Sequence, residues 1–159
     1  MSRTTSDRVE VLLVCSSGGH LLQLHALERA WRPFVRSWVS FDKSDVRSLL
    51  ADETLFFAYG PTNRSLKNLA KNLVIAASVI RRTRPRVILT TGAGVAVPFA
   101  WIGRLAGARV VYVESLTRID APSLSCRLIR PVAARVYVQW PELVPKVRGA
   151  RYVGSVFAS

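Results

Sequence analysis

The chain is poor in the residues that bind metals or staple folds. It has two cysteines, Cys15 and Cys126, two histidines, His20 and His25, and one methionine. Cysteines so far apart give neither a disulfide framework nor metal-ligand spacing, which makes a reducing compartment the default. No acidic pair stands ready for a divalent cation, so neither a metal nor another cofactor is expected. Also missing is any charge-free apolar run of the ~20 residues a spanning helix needs. The opening stretch, Met1 to Arg8, is polar and lacks the apolar core of a secretion signal. Residues 1–8 are expected to be disordered. Acids are scarce, and unevenly so. Residues 1–63 balance seven Lys and Arg against seven Asp and Glu. Residues 64–159 set sixteen basic groups against Glu114, Asp120 and Glu142, and so carry the whole net charge of +13. Such a field attracts polyanions: nucleic acid, anionic lipid or phosphorylated substrates. Charge alone does not choose among them.

What is present is globular. Half of the 159 residues are apolar and 21% are charged, enough for one domain over 1–159 with a sizeable core. Short β-branched runs alternate with helical patterns. Strands are predicted at 9–15, 35–40, 54–58, 86–90, 109–113, 135–139 and near 151–153. Helices are predicted at 19–31, 43–51, 65–83, 93–106, 122–133 and from Pro141. Such alternation argues an α/β fold, a doubly wound parallel sheet with helices on both faces.

Two strands end in glycine-rich loops. Ser16-Ser17-Gly18-Gly19-His20 follows the first strand, and Thr90-Thr91-Gly92-Ala93-Gly94 follows Arg86-Val87-Ile88-Leu89. Glycine there lets the backbone turn sharply and lets a ligand approach bare N–H groups at a helix N-terminus. Ligands of open parallel sheets gather beyond the carboxyl ends of the strands, so two such loops imply one shared cleft. Neither loop has G-x-G-x-x-G spacing, which ranks a dinucleotide-binding protein last.

The helix at 65–83 is apolar through Leu73-Val74-Ile75-Ala76-Ala77 and Val79-Ile80, interrupted only by Ser78. Lys67 and Lys71 precede this stretch; Arg81, Arg82, Arg84 and Arg86 follow it. A helix sandwiched in the core with solvated ends explains the pattern. So does a helix with one face in an anionic membrane surface, through Leu73, Ile75, Ile80, Arg81 and Arg82. One helix can do both.

The two glycine loops, the continuation Val95-Ala96-Val97-Pro98-Phe99 and the pair Glu114-Ser115 after a strand together resemble one family. It is the acceptor-side subunit of two-part UDP-sugar glycosyltransferases, which serve dolichol-linked oligosaccharide synthesis or bacterial exopolysaccharide and capsule assembly. A more distant similarity runs to the N-terminal half of the peptidoglycan N-acetylglucosaminyltransferase. The resemblance covers roughly residues 9–157. It implies a single Rossmann-like acceptor-binding domain, the N-terminal half of a GT-B type enzyme, inactive without a catalytic partner subunit that holds the UDP-sugar. It implies a polyprenyl-diphosphate-linked sugar as acceptor and a cytoplasmic location, peripheral on the cytoplasmic face of the membrane. The eukaryotic subunit begins with a transmembrane anchor that this sequence does not show, which favours a bacterial polysaccharide role.

Within that frame, His20 stands at a helix N-terminus, where the dipole favours the neutral, proton-accepting imidazole. It is a candidate base for an inverting transfer. Glu114, at the carboxyl edge of the sheet, is the alternative base or an acceptor-hydroxyl ligand, unless it merely pairs with Arg118; a residue of the partner is the third candidate for the base. Ser17, Gly18, Gly19, Thr91, Gly92, Gly94 and Arg118 are candidates for acceptor or diphosphate contact. His25 reads as structural. The competing class is a basic nucleic-acid- or nucleotide-binding domain without transferase activity. Against nucleic acid, the cations flank apolar helices and do not interleave with exposed aromatics.

Overall fold

The computed structural model describes residues 10–62 and 65–158. The expectations for residues 1–8, for Val9 and for the turn residue Asn63 fall outside them. Seven strands form one sheet: β1 Val11–Val14, β2 Arg36–Phe41, β3 Leu55–Ala58, β4 Val87–Thr90, β5 Arg109–Val113, β6 Ala133–Val138 and β7 Ala150–Tyr152. Their order is β3-β2-β1-β4-β5-β6-β7, and every pairing is parallel. The sheet is doubly wound, as the alternation predicts.

Side-chain alternation divides the core between its faces. Leu12, Val14, Ile88 and Val110 meet residues of α4 (Leu66–Thr83), α5 (Ala96–Leu105) and α6 (Leu124–Ile129). Leu13, Trp38, Leu89 and Val113 meet α1 (Gly19–Ala26), α2 (Glu28–Trp31) and α3 (Ser44–Leu49) on the other. The predicted helix 19–31 is two helices. Leu27 N–H bonds to Leu24 O at 3.2 Å, and the break lets Trp31 turn inward and donate from Nε1 to Leu24 O at 2.9 Å. The predicted helix 122–133 shortens for a different reason. Pro131 lacks the donor an α-helix needs there, and a 3₁₀ turn at Arg130–Val132 takes over.

Helix α4 corrects one expectation. Its buried stripe is Asn72, Ala76, Val79, Ile80 and Thr83, so Ile80 lies in the core and not at a membrane face. The 3.6-residue period decides this, since Ile80 stands one turn beyond Ala76. Ile75 is half-buried and also packs against the core. Leu73 remains exposed, as do Arg81 and Arg82. Asn72, wholly buried, fastens the helix to the preceding loop: its Oδ1 accepts from Tyr59 N–H at 2.8 Å and its Nδ2 donates to Tyr59 O at 2.9 Å. Among the described residues, no helix is long and apolar enough to cross a membrane.

Candidate functional site

Strand order reverses between β1 and β4, the point of a doubly wound sheet where a crevice opens. Both glycine loops leave the sheet there. They are joined directly. His20 Nδ1 lies 2.8 Å from Thr91 O, and Thr91 Oγ1 donates to His20 O at 2.7 Å. A carbonyl only accepts, so Nδ1 carries the hydrogen and Nε2 of a neutral ring keeps its lone pair. An imidazole fixed in this tautomer and half-buried has the form a general base requires.

The glycines do separate jobs. Gly18 adopts φ +73°, a conformation other residues rarely take. Its N–H is not bare: Asp45 Oδ2, from the first turn of α3, accepts from it at 2.8 Å. A phosphate at this loop would have to displace that carboxylate. Gly92 has φ +100°, and a Cβ there would stand 2.7 Å from the Tyr112 hydroxyl. Its N–H donates to Thr90 Oγ1 at 2.9 Å. Ala93 also has a positive φ, +71°, so the loop runs on to Val95 and α5 starts three residues later than predicted. Gly94 packs against Thr62 in the loop that Asn72 secures. Ser17 lies half-buried beside Gly18.

Glu114 is 0% exposed. Its Oε1 accepts from the Tyr112 hydroxyl at 3.0 Å, Ser115 N–H at 2.9 Å and the Ser123 hydroxyl at 3.0 Å; its Oε2 accepts from Ser123 N–H at 2.8 Å. Burial beside Glu114 pushes the Tyr112 phenol well above its ordinary range, so it stays a donor. The carboxylate thus folds the loop after β5 back onto the strand end and joins it to α6, whose cap is Ser123. Arg118 is exposed on that loop and is not among Glu114's partners here. The arrangement suits Glu114 to positioning, while His20 Nε2 makes no hydrogen bond among the described residues.

Sequence reasoning missed several of these partners. Tyr112 stands two residues before Glu114, a spacing that puts both on one face of an extended chain and could have signalled the pair. Ser123 matches the N-cap preference for serine. Asp45 carried no signal, and neither did Gln23 and Gln139, buried residues 116 apart whose side chains bond at 2.7 Å. An apolar hollow of about 310 Å³, lined by Val11, Ala30, Phe34, Val87, Leu89 and Val111 with Glu10 and Arg86, lies at the opposite, amino-terminal end of the strands. It has no contact with the glycine loops.

Residues 60–156 match the family described as "Oligosaccharide biosynthesis protein Alg14 like". The chain belongs to that family. The UDP-N-acetylglucosamine transferase subunit alg14 of Schizosaccharomyces pombe is 40% identical over 77 residues, 45% of this chain and 37% of that one. The Homo sapiens ALG14 subunit is 25% identical over 189 residues, 98% of this chain and 87% of its own. Among solved structures, MurG of Acinetobacter baumannii superposes with a TM-score of 0.73 at 16% identity, over 92% of this chain and 45% of that one. That likeness is one of fold, and it is the GT-B type expected from the sequence. The chain thus spans about two-fifths of the fungal relative. The Alg14-like match includes Thr91, Gly92, Gly94, Glu114 and Arg118, whereas His20 and its loop lie before it. The nucleic-acid reading finds no support in these relatives.

Proposed function

We propose that this chain is the acceptor half of a two-part UDP-N-acetylglucosamine transferase. It recruits a catalytic partner that holds the UDP-sugar, and it binds a polyprenyl-diphosphate-linked sugar. The acceptor hydroxyl displaces UDP at the anomeric carbon while His20 Nε2 takes the hydroxyl proton. The observation that carries this reading is the imidazole fixed by Thr91 at the reversal of strand order, in a chain of the Alg14-like family. Ser17, Gly18, Gly19, Thr91, Gly92, Gly94 and Arg118 surround the acceptor, and basic groups offset the diphosphate charge.

A lipid-linked acceptor is confined to a bilayer surface, so this half works peripherally on the cytoplasmic face. The surface that supports this attachment spans three helices. Exposed Leu66, Leu73 and Val74 on α4 are continued by Trp101 and Leu105 on α5 and by Leu124 and Leu128 on α6. Exposed cations accompany them: Lys67, Arg81, Arg104 and Arg127. Lys71 and Arg82 instead lie over the rings of Tyr59 and Phe56, at 4.6 Å and 5.4 Å from the centroids, toward the β3 side. Apolar side chains would enter the headgroup boundary while cations meet anionic lipid.

The test is sugar transfer from UDP-N-acetylglucosamine to a short-chain polyprenyl-diphosphate sugar, with and without a candidate partner half. Transfer by the pair and none by this chain alone is expected. Transfer by this chain alone would overturn the split assignment, and a pair unable to transfer would overturn the acceptor assignment.

A further inference from the structure

Two buried glutamines that the chemistry above does not use lie between the acceptor loops. Gln23 is 5% exposed and Gln139 is 3% exposed. Gln23 Nε2 donates to Gly19 O at 3.2 Å, in the first glycine loop. Its Oε1 accepts from Leu116 N–H at 2.8 Å and from Gln139 Nε2 at 2.7 Å. Gln139, the first residue beyond β6, gives its other amide hydrogen to Glu114 O at 2.9 Å. Its Oε1 accepts from Val156 N–H at 3.1 Å and from the Ser155 hydroxyl at 3.3 Å.

The orientation of both amides follows from their backbone partners. Glu114 O only accepts and Val156 N–H only donates, so the Gln139 nitrogen faces the loop after β5 and its oxygen faces the carboxyl-terminal segment. All four hydrogen-bonding positions of Gln139 are filled. Apolar side chains would pack such a site as well, but they would not specify which backbone groups meet. A buried amide with every hydrogen-bonding position filled, as in Gln139, does.

We infer that Gln23 and Gln139 are positioning residues of the acceptor site, and that Gln139 makes its geometry depend on the seating of Ser155 and Val156. The inference rests on the acceptor reading above. Whatever docks on the segment around Val156 is then felt at Leu116 and Gly19 through two side chains.

Three substitutions separate this from a merely structural role. Gln139→Glu replaces the two-hydrogen donor with an oxygen, set against the oxygens of Gln23 and Glu114. Gln23→Glu keeps the acceptor for Leu116 and Gln139 but sets an oxygen against Gly19 O in place of the 3.2 Å bond, in a buried site. Val156→Pro deletes one donor. Val156 is the second residue of a turn closed by Ala158 N–H to Ser155 O at 3.1 Å, a position that suits proline. In the complex of this chain with its partner half, Gln139→Glu and Val156→Pro should raise the acceptor KM roughly fivefold or more, with the donor KM within about twofold. Gln23→Glu should move the acceptor KM in the same direction and spare the donor KM. An acceptor KM unmoved by both glutamate substitutions, or a fall in kcat alone, would overturn the inference. Hydrogen exchange at the Leu116 amide in the isolated chain reads the same network without turnover. Val156→Pro should accelerate it relative to the amides of β2. No acceleration rejects the coupling, whether or not the wild-type pair transfers sugar; a wild-type pair without transfer rejects only the functional reading.

Discussion

His20 and Thr91 exchange two hydrogen bonds across the reversal in strand order, imidazole Nδ1 to carbonyl at 2.8 Å and hydroxyl to carbonyl at 2.7 Å. The two glycine loops are therefore one unit, and the ring that joins them leaves Nε2 as an acceptor. Replacing the ring and replacing the threonine should have unequal effects. His20→Ala in the reconstituted pair should lower turnover by about 10²-fold or more, the usual contribution of a general base. Thr91→Val loses only the hydroxyl bond and keeps the carbonyl that orients the ring, costing about 1 kcal/mol of stability. Steady-state rates and urea unfolding check both. Equal losses of turnover would assign His20 a structural role, and the base to the partner or to Glu114.

Gly92 and Tyr112 are coupled by space. Gly92→Ala adds a Cβ 2.7 Å from the phenol oxygen at φ +100°, and should destabilise the chain by about 1–3 kcal/mol. Tyr112→Phe removes that oxygen and also one donor to Glu114. The double variant should be more stable than the sum of the two single effects predicts, measured by urea unfolding. Strict additivity would mean that backbone strain, not the phenol, sets the cost.

The apolar residues of α4 divide into two kinds. Ile80→Ser should destabilise the fold, because Ile80 is 3% exposed and a buried side chain of that size contributes about 1.5–3 kcal/mol. Leu73→Ser and Val74→Ser should leave thermal stability near wild type and weaken sedimentation with anionic vesicles. High salt and Arg81→Glu should weaken it too, since screening shortens the reach of surface charge. Vesicle binding indifferent to salt and to all these substitutions would remove the membrane role of this surface.

Much of the fold was legible because short apolar runs, β-branched at β1, β4 and β5, alternate with helical patterns. The misses have local causes. Helix 19–31 looked continuous because no glycine or proline marks Leu27, and the break serves Trp31, whose indole bonds back to Leu24. The late start of α5 follows from Ala93, a residue that rarely adopts the positive φ it has here. Ile80 looked like surface because the apolar run around it is dense; only the register of Asn72 and Ala76 against the sheet shows which side is buried. At the site, the loops and His20 stood out by their glycines. Asp45, Gln23 and Gln139 did not, because their partners are distant in sequence and chosen by the sheet.

The thiols offer a check on the core itself. Burial pushes both Cys15 and Cys126 up to about 12. The thiolate is the reactive form, and a raised value keeps each group as the thiol across the neutral range. Neither should react with a thiol reagent at pH 8 in the folded chain, and both should react after denaturation. Rapid labelling of the native protein would contradict the packing of β1 or α6.

The central claim is that this chain holds the acceptor at His20 and that the donor belongs to a partner. With only two histidines, imidazole NMR reads the site directly. Adding a short-chain polyprenyl-diphosphate N-acetylglucosamine to the isolated chain should shift the ring resonances of His20 and leave those of His25 in place, while UDP-N-acetylglucosamine should shift neither. A His20 ring that responds to the UDP-sugar and ignores the lipid-linked sugar would contradict the account.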